Sequence, residues 1–359
     1  METPLRLFVD PVWKRKGQPT PLLFPFWGNP YDENSLFAKE TFDSYQFDTS
    51  LYTIVEDISQ AQMVFPPYKY QWFLRYDMPL WEECLRVAQE ANLPLLVDVV
   101  GDVDYTIDIP NAYMLRLGGY RFLPDHRRIQ VPSPVDDLLH RVCGGKLSIR
   151  KKSTGLPVIG FAGWASLTLK QKIRSILKQA PIRLRAIIDQ RYSTMIKGVF
   201  WRAKTIKILQ RSSRVILNLK VRSSFSGSTK TAQGGLIELR QDFVDTILAS
   251  DYGLDVRGDP NDSNRIYEVC SLGRIPVILD TERNFPFSDV VNYRDFAVIV
   301  DYKDINRMAD VLADFHANVS AEKFEDMQLK ARETFEKYFR IDAQMRQIIR
   351  LLKQQIPSL

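Results

Sequence analysis

The residues from 251 to 268, DYGLDVRGDPNDSNRIYE, have the types and spacing needed to hold a phosphorylated ligand. An apolar run ends at Arg257-Gly258, and the polar loop Asp259-Pro260-Asn261-Asp262-Ser263-Asn264 leads into a helical pattern. Ser263 or Asn264 suits the helix N-cap. Free backbone N–H groups at such a start attract anions. Arg265, in the first turn, offers a fork of donors to phosphate oxygens. Glu268 lies three residues on, hence on the same face, and can accept hydrogen bonds from two adjacent ribose hydroxyls. Together these groups would hold a nucleoside diphosphate. The same spacing also describes a surface ion pair worth about 0.2–0.5 kcal/mol.

Such residues need strands that end beneath them. Residues 79–91 have helical spacing with Pro79 near the start, and the continuous apolar run LPLLVDVV (93–100) follows. Helix then buried strand is the alternation of a parallel α/β sheet. LRLFV (5–9), LYTIV (51–55) and AQMVF (61–65) are short strands, and LLFPF (22–26) reads as extended. After the linker-like CGGKLSIRKKSTG (143–155), LPVIGFAG (156–163) is a strand running into a Gly turn. Helices are predicted over 166–179, 192–210, 238–249 and 263–273, the last stopped by Gly273. RVILNLKV (214–221), RIPVILD (274–280) and FAVIVD (296–301) are strands, SSFSGSTKTAQGG (223–235) is a polar loop, and 304–316 and 320–355 are amphipathic helices. The fold class is α/β, with two Rossmann-like domains facing a cleft, where small ligands commonly bind.

Composition narrows the function. Of 359 residues, 45% are hydrophobic, and 20 Phe, 15 Tyr and 6 Trp supply ample core, which excludes a disordered chain. Cys84, Cys143 and Cys270 are too few and too scattered for a disulfide framework or a zinc signature, and three His make a multi-histidine site improbable. No apolar run approaches the ~18 residues of a membrane span. The net charge of +6 is unevenly spread: residues 141–230 hold 21 Lys and Arg against one acid, Asp189, so this segment is +20 and the remainder −14. That segregation points to a polyanionic partner, whether nucleic acid, an anionic membrane surface or phosphates, or to solvated helix faces.

SNRIYEVCSLGRIPVIL followed by NFPFSDVVNYRDFAVIV resembles the C-terminal signature of exostosin-type glycosyltransferases. The matching residues are Arg265, Glu268, Gly273, Ile275-Pro276-Val277-Ile278, Pro286-Phe287 and Phe296. Arg257 and Gly258 stand where the family's strand before this helix ends in glycine, and PVIGFAG, ending at Gly163, resembles its Phe-Ala-Gly strand. DISQAQMVFPP (57–67) and IQVPSP (129–134) resemble two earlier segments, in the same order. There are departures: Val256 replaces the Pro before the Gly, Val269 the Ala after the Glu, and Gly253 or Asp255 the Cys of the strand.

The resemblance implies the GT-B glycosyltransferase architecture. An acceptor-side domain would span 1–150, a nucleotide-sugar-binding domain 151–320, and a C-terminal helix in 321–359 would cross back. Gly163, Arg257, Gly258, Asn264, Arg265 and Glu268 would bind the donor, typically a UDP-sugar. No metal or other cofactor is expected, because the helix dipole and basic side chains neutralise the leaving diphosphate. The acceptor would be a glycan or a lipid-linked hydroxyl. Its proton needs a base, and Asp102 and Asp104 lie just past the end of strand 93–100, where a site residue belongs. A cation site at these acids, or simple capping, competes with that role. His126 and His140 are alternative bases. The expected location is cytoplasmic, with the basic segment touching anionic membrane at the periphery. Nucleic-acid or anionic-surface binding through 141–230, and a catalytically inactive glycosyltransferase-like module, are the competing functions.

Overall fold

The computed structural model describes residues 3–30, 45–101, 107–123, 127–222 and 235–356. Two parallel sheets carry the chain. The first contains β1 (Leu5–Phe8), β2 (Tyr52–Val55), β3 (Met63–Val64), β4 (Leu95–Asp98), β5 (Ala112–Arg116) and β6 (Arg128–Gln130), in the order β2-β1-β3-β4-β5-β6. The second contains β7 (Val158–Trp164), β8 (Ile216–Arg222), β9 (Tyr252–Asp255), β10 (Ile275–Asp280) and β11 (Val298–Asp301), in the order β11-β10-β9-β7-β8. β4, β9 and β10 are buried along their whole length, as strands covered on both faces must be.

The helices of the first half are α1 (Phe24–Trp27), α2 (Tyr70–Tyr76), α3 (Met78–Glu90) and α4 (Leu138–Cys143). Residues 22–26, expected to be extended, instead form a 3₁₀ turn and α1. Pro21 and Pro25 occupy first-turn positions, where a fixed φ favours a helix start, and the Gly28 N–H closes the turn on the Phe24 carbonyl. α3 forms where expected. Asp77 caps it by accepting from the Leu80 N–H at 3.1 Å, and Leu80, Trp81, Cys84 and Ala88 make its buried face.

The second half holds α5 (Leu169–Lys178), α6 (Ala180–Ile188), α7 (Gly198–Gln210), α8 (Leu236–Leu248), α9 (Asn264–Ser271) and α10 (Met308–Asn318). The helix expected over 192–210 begins later, at Gly198, after a 3₁₀ segment over Gln190–Met195. α6 carries Pro181 in its first turn and is not evident in the pattern. Residues 320–355, expected as one helix, are α11 (Ala321–Thr334), a π turn (Phe335–Phe339) and α12 (Ile341–Gln355). Phe335 and Phe339 are both buried, and the wider turn brings them into the core before the extended Arg340 redirects the chain.

Residues 143–155 contain no strand or helix beyond Cys143, yet they are fastened to the second half. Arg150 Nε donates to the buried Asp251 at 2.7 Å, and Gln328 Nε2 donates to the Arg150 carbonyl at 2.8 Å. One hydrophobic cluster joins the first sheet to α9 (Ile266, Tyr267, Cys270) and to α12 (Met345, Ile348, Leu352). The strand ends of the first sheet face the second half. Asn261 Nδ2 donates to the Gly119 carbonyl at 2.8 Å, and Ser133 Oγ donates to Asn264 Oδ1 at 2.5 Å. Among the described residues, no helix is long and apolar enough to cross a membrane.

Candidate active site

The carboxyl end of β7 and the start of α9 meet at one point. Ser263 is the N-cap, its hydroxyl accepting from the Arg265 N–H at 3.3 Å. Arg265 is only 9% exposed. Its guanidinium carbon lies 4.5 Å from the centre of the Phe161 ring, and Nη2 donates to the Ala162 carbonyl at 3.4 Å. Gly163 has φ +151°, and a Cβ there would overlap Arg265 Nη2. Glycine at the end of the strand is therefore what admits the guanidinium. Nε and Nη1 of Arg265 are buried without a hydrogen-bond partner among the described residues. Burial lowers the pKa of this guanidinium, and Asp255 and Glu268 only partly oppose it. Burial also raises the Glu268 carboxyl, against the pull of Arg265 and Arg240. The surface ion pair that the spacing allowed is not formed: Arg265 points into the protein.

A second cation stands beside the first. Arg202, on α7, was not singled out from the sequence, where it is one of 21 bases in its segment. Nε donates to the Val256 carbonyl at 3.2 Å and Nη1 to the Trp164 carbonyl at 3.3 Å. Burial first, and then the neighbouring Arg265, pull its pKa down to about 9. Among the described residues, neither guanidinium is paired with a carboxylate. α7 comes this close because Gly198, its first residue, sits where any Cβ would strike the Arg257 and Gly258 carbonyls.

The other expected donor-site residues have different surroundings. Arg257 is buried, and its donors are engaged by Tyr120 Oη and by the carbonyls of Thr194, Asp259 and Gly258. It is a strut between the halves rather than a free phosphate ligand. The Gly258 N–H donates to the Asp262 carbonyl at 2.7 Å, closing the loop that precedes α9. Asn264 is exposed and meets Ser133 of the first half. Below this loop Arg283 donates to Asp255 at 2.9 Å and lies 3.9 Å from Asp262, which also accepts from Tyr267 Oη at 3.1 Å. Burial pushes the Asp262 carboxyl up to about 6, against the pull of Arg283.

Of the expected bases, Asp102, Asp104 and His126 lie outside the described residues. His140 is exposed on α4, its Nε2 3.9 Å from Asp137. Asp98, at the end of β4, is buried and accepts from the Val100 N–H at 2.8 Å. Burial pushes its carboxyl up, against the pull of Lys69. It lines a small pocket with Thr20, Pro132 and Gln344. A cavity of about 520 Å³ lies elsewhere, bounded by Arg183, Trp201, Lys204 and Tyr302, and none of the expected donor residues lines it. Among the described residues, no group of three or more His, Cys, Asp and Glu is arranged to hold a metal ion.

The departures from the family's pattern are linked in space. Gly253 on β9 faces Val269 on α9: a Cβ at 253 would lie 2.5 Å from Val269 Cγ2. The larger residue on the helix fills the space that the strand leaves empty.

The family model named Exostosin GT47 domain matches residues 202–315. That segment contains Arg202, Arg257, Gly258, Asn264, Arg265 and Glu268. The two earlier resembling stretches, 57–67 and 129–134, lie outside it. No curated protein matches the chain. Among solved structures, TarM of S. aureus is similar with 9% identity and a TM-score of 0.34, over 80% of this chain and 54% of that one. A glycosyltransferase from Rickettsia africae has 11% identity and a TM-score of 0.36, over 83% and 77%. Sucrose-phosphate synthase from Thermosynechococcus elongatus has 12% identity and a TM-score of 0.36, over 99% and 100%. The chain spans about half the length of the TarM chain it resembles. Two parallel sheets with their strand ends turned toward each other agree with the expected α/β fold class. Residues 202–315, about a third of the chain, are thus similar to the exostosin glycosyltransferase family that their own residues resemble.

Proposed function

We propose that the chain moves a sugar from a nucleotide-sugar donor, a UDP-sugar, to a hydroxyl of a glycan or lipid-linked acceptor, without a metal ion. One observation carries this reading: the buried Arg265 has the half-buried Arg202 as a neighbour, and among the described residues neither forms an ion pair with a carboxylate. An unpaired buried charge costs several kcal/mol, so the pair is arranged for an anion that arrives from outside. A diphosphate between these guanidiniums and the α9 N-terminus supplies it, and the same groups stabilise the charge that grows on the leaving group. Glu268, on the next turn, is positioned to accept from ribose hydroxyls.

In this reading residues 1–150 hold the acceptor, 151–320 hold the donor, and 321–359 return to the first half. The reaction takes place in the cytoplasm. Asp102, or failing it Asp104, takes the acceptor proton. Asp98, at the end of β4, is a further candidate, because burial raises its carboxyl pKa and so makes it a stronger base. A thermal-shift screen of UDP, UMP, ADP and UDP-sugars tests the reading. UDP should stabilise the chain by about 2.7 kcal/mol at 100 times its dissociation constant, and UMP by less. Equal shifts for UDP and UMP would remove the diphosphate from the account, and release of free sugar from a UDP-sugar would exclude an inactive module.

A further inference from the structure

Four residues after β7 ends at Trp164, the chain enters α5 and α6, and neither helix buries a single side chain. On α5, Leu169, Ile173, Ile176 and Leu177 recur at i, i+4, i+7 and i+8, which places them on one face. On α6, Leu184, Ile187 and Ile188 do the same at i, i+3 and i+4. All of these are exposed, Ile187 by 81% and Ile188 by 91%. Lys170, Lys172, Arg174, Lys178, Arg183 and Arg185 share the two helices, and no acid occurs between Ser166 and Ile188. The pair is anchored from its other side: Gln179 Oε1 accepts from the Lys197 N–H at 3.1 Å, and the Arg183 guanidinium lies 5.4 Å from the Phe200 ring centre. The helices are thus held on the body of the protein while their aliphatic side chains face outward.

We propose that α5 and α6 form a docking face for the surface of an anionic lipid bilayer. Large exposed apolar patches mark interaction sites. Helices with an apolar stripe and a basic remainder lie in the plane of the membrane interface, their aliphatic side chains among the acyl chains and their cations among the headgroups. Charge complementarity selects this occupant. A second copy of the chain would bring two sets of six cations together. A nucleic acid would engage the cations but leave the aliphatic stripes in water. A bilayer satisfies both kinds of side chain, and it places the strand ends next to α5 close to membrane-borne substrate.

The test uses the full chain and extruded phosphatidylcholine vesicles with and without about 30 mol% phosphatidylglycerol. The chain should sediment with the anionic vesicles roughly tenfold more than with the neutral ones, and salt should reduce the difference. Ile173→Glu with Ile187→Glu should lower that partition by roughly tenfold, and Lys170→Glu with Lys172→Glu should lower it and remove its salt dependence. All four positions are exposed, so melting temperature and the vesicle-free UDP shift should stay at wild-type values, which separates this proposal from the donor assignment. Equal partition into both vesicles, or unaltered partition of Ile173→Glu/Ile187→Glu, would overturn the proposal. So would a dimer in sedimentation velocity that this variant abolishes.

Discussion

Two arginine sites in the second half solve the same electrostatic problem differently. Arg283 is fully enclosed but meets Asp255 at 2.9 Å and has Asp262 at 3.9 Å, and these acids hold its pKa above the ordinary arginine value. Arg265 and Arg202, packed around the end of β7, meet carbonyls and an aromatic ring but no carboxylate, and their pKa values fall. A buried cation with its own acids supports the fold. A pair without them leaves guanidinium donors unmatched, which is what the proposed diphosphate would use.

The largest expected effect falls on the paired site. Arg283→Ala leaves Asp255 and Asp262 buried without their cation and should cost about 3–5 kcal/mol of unfolding free energy, read from denaturant melts. A loss under 1 kcal/mol would erase the distinction between the two sites. Arg265→Ala should do the reverse, leaving stability unchanged or slightly raised while UDP affinity weakens by about 1.5–3 kcal/mol. Calorimetric titration and a melt of the same sample read both.

Acid titration sharpens the comparison. The Asp262 carboxyl is raised from 3.8 to about 6, so the folded chain holds this proton more tightly than the unfolded chain does. Unfolding then releases the proton, and stability falls as pH rises from about 4 to about 6, by roughly 1–3 kcal/mol, before levelling. Asp262→Asn should flatten this slope in pH-dependent melts; an unchanged slope assigns it to another group. The smallest effect belongs to the contact between the halves. Ser133→Ala removes the hydrogen bond to Asn264 and should cost about 0.5–1.5 kcal/mol. An equal loss in Asn264→Ala, with no further loss in the double variant, would show that the two side chains act as a pair.

Much of this was legible in the residues. The apolar runs 93–100 and 274–280 marked the central strands, because a strand buried on both faces has no polar alternation to hide it. The meeting of Gly163 with Arg265 is legible, because it depends on a strand end and one helical turn. Arg257, expected among the donor-binding residues, has donors engaged by Tyr120 and Thr194, contacts 137 and 63 residues away that no local pattern reveals. Arg202 carries no local signal for the converse reason: one base among many comes near Arg265 only when α7 docks on Arg257 and Gly258. The turn at 22–26 misled because prolines suit both extended chain and a first helical turn. The break at 335–339 carries no proline or glycine to announce it.

The central proposal is that Arg265 and Arg202 hold a diphosphate. Calorimetric titration of UDP into the wild type and into Arg202→Ala/Arg265→Ala, with UMP as the control and both proteins shown to be folded by melting, tests this directly. Weakening of UDP binding by roughly ten- to hundredfold, with UMP binding much less affected, is the predicted result. UDP binding of wild-type strength in the folded double variant would contradict it.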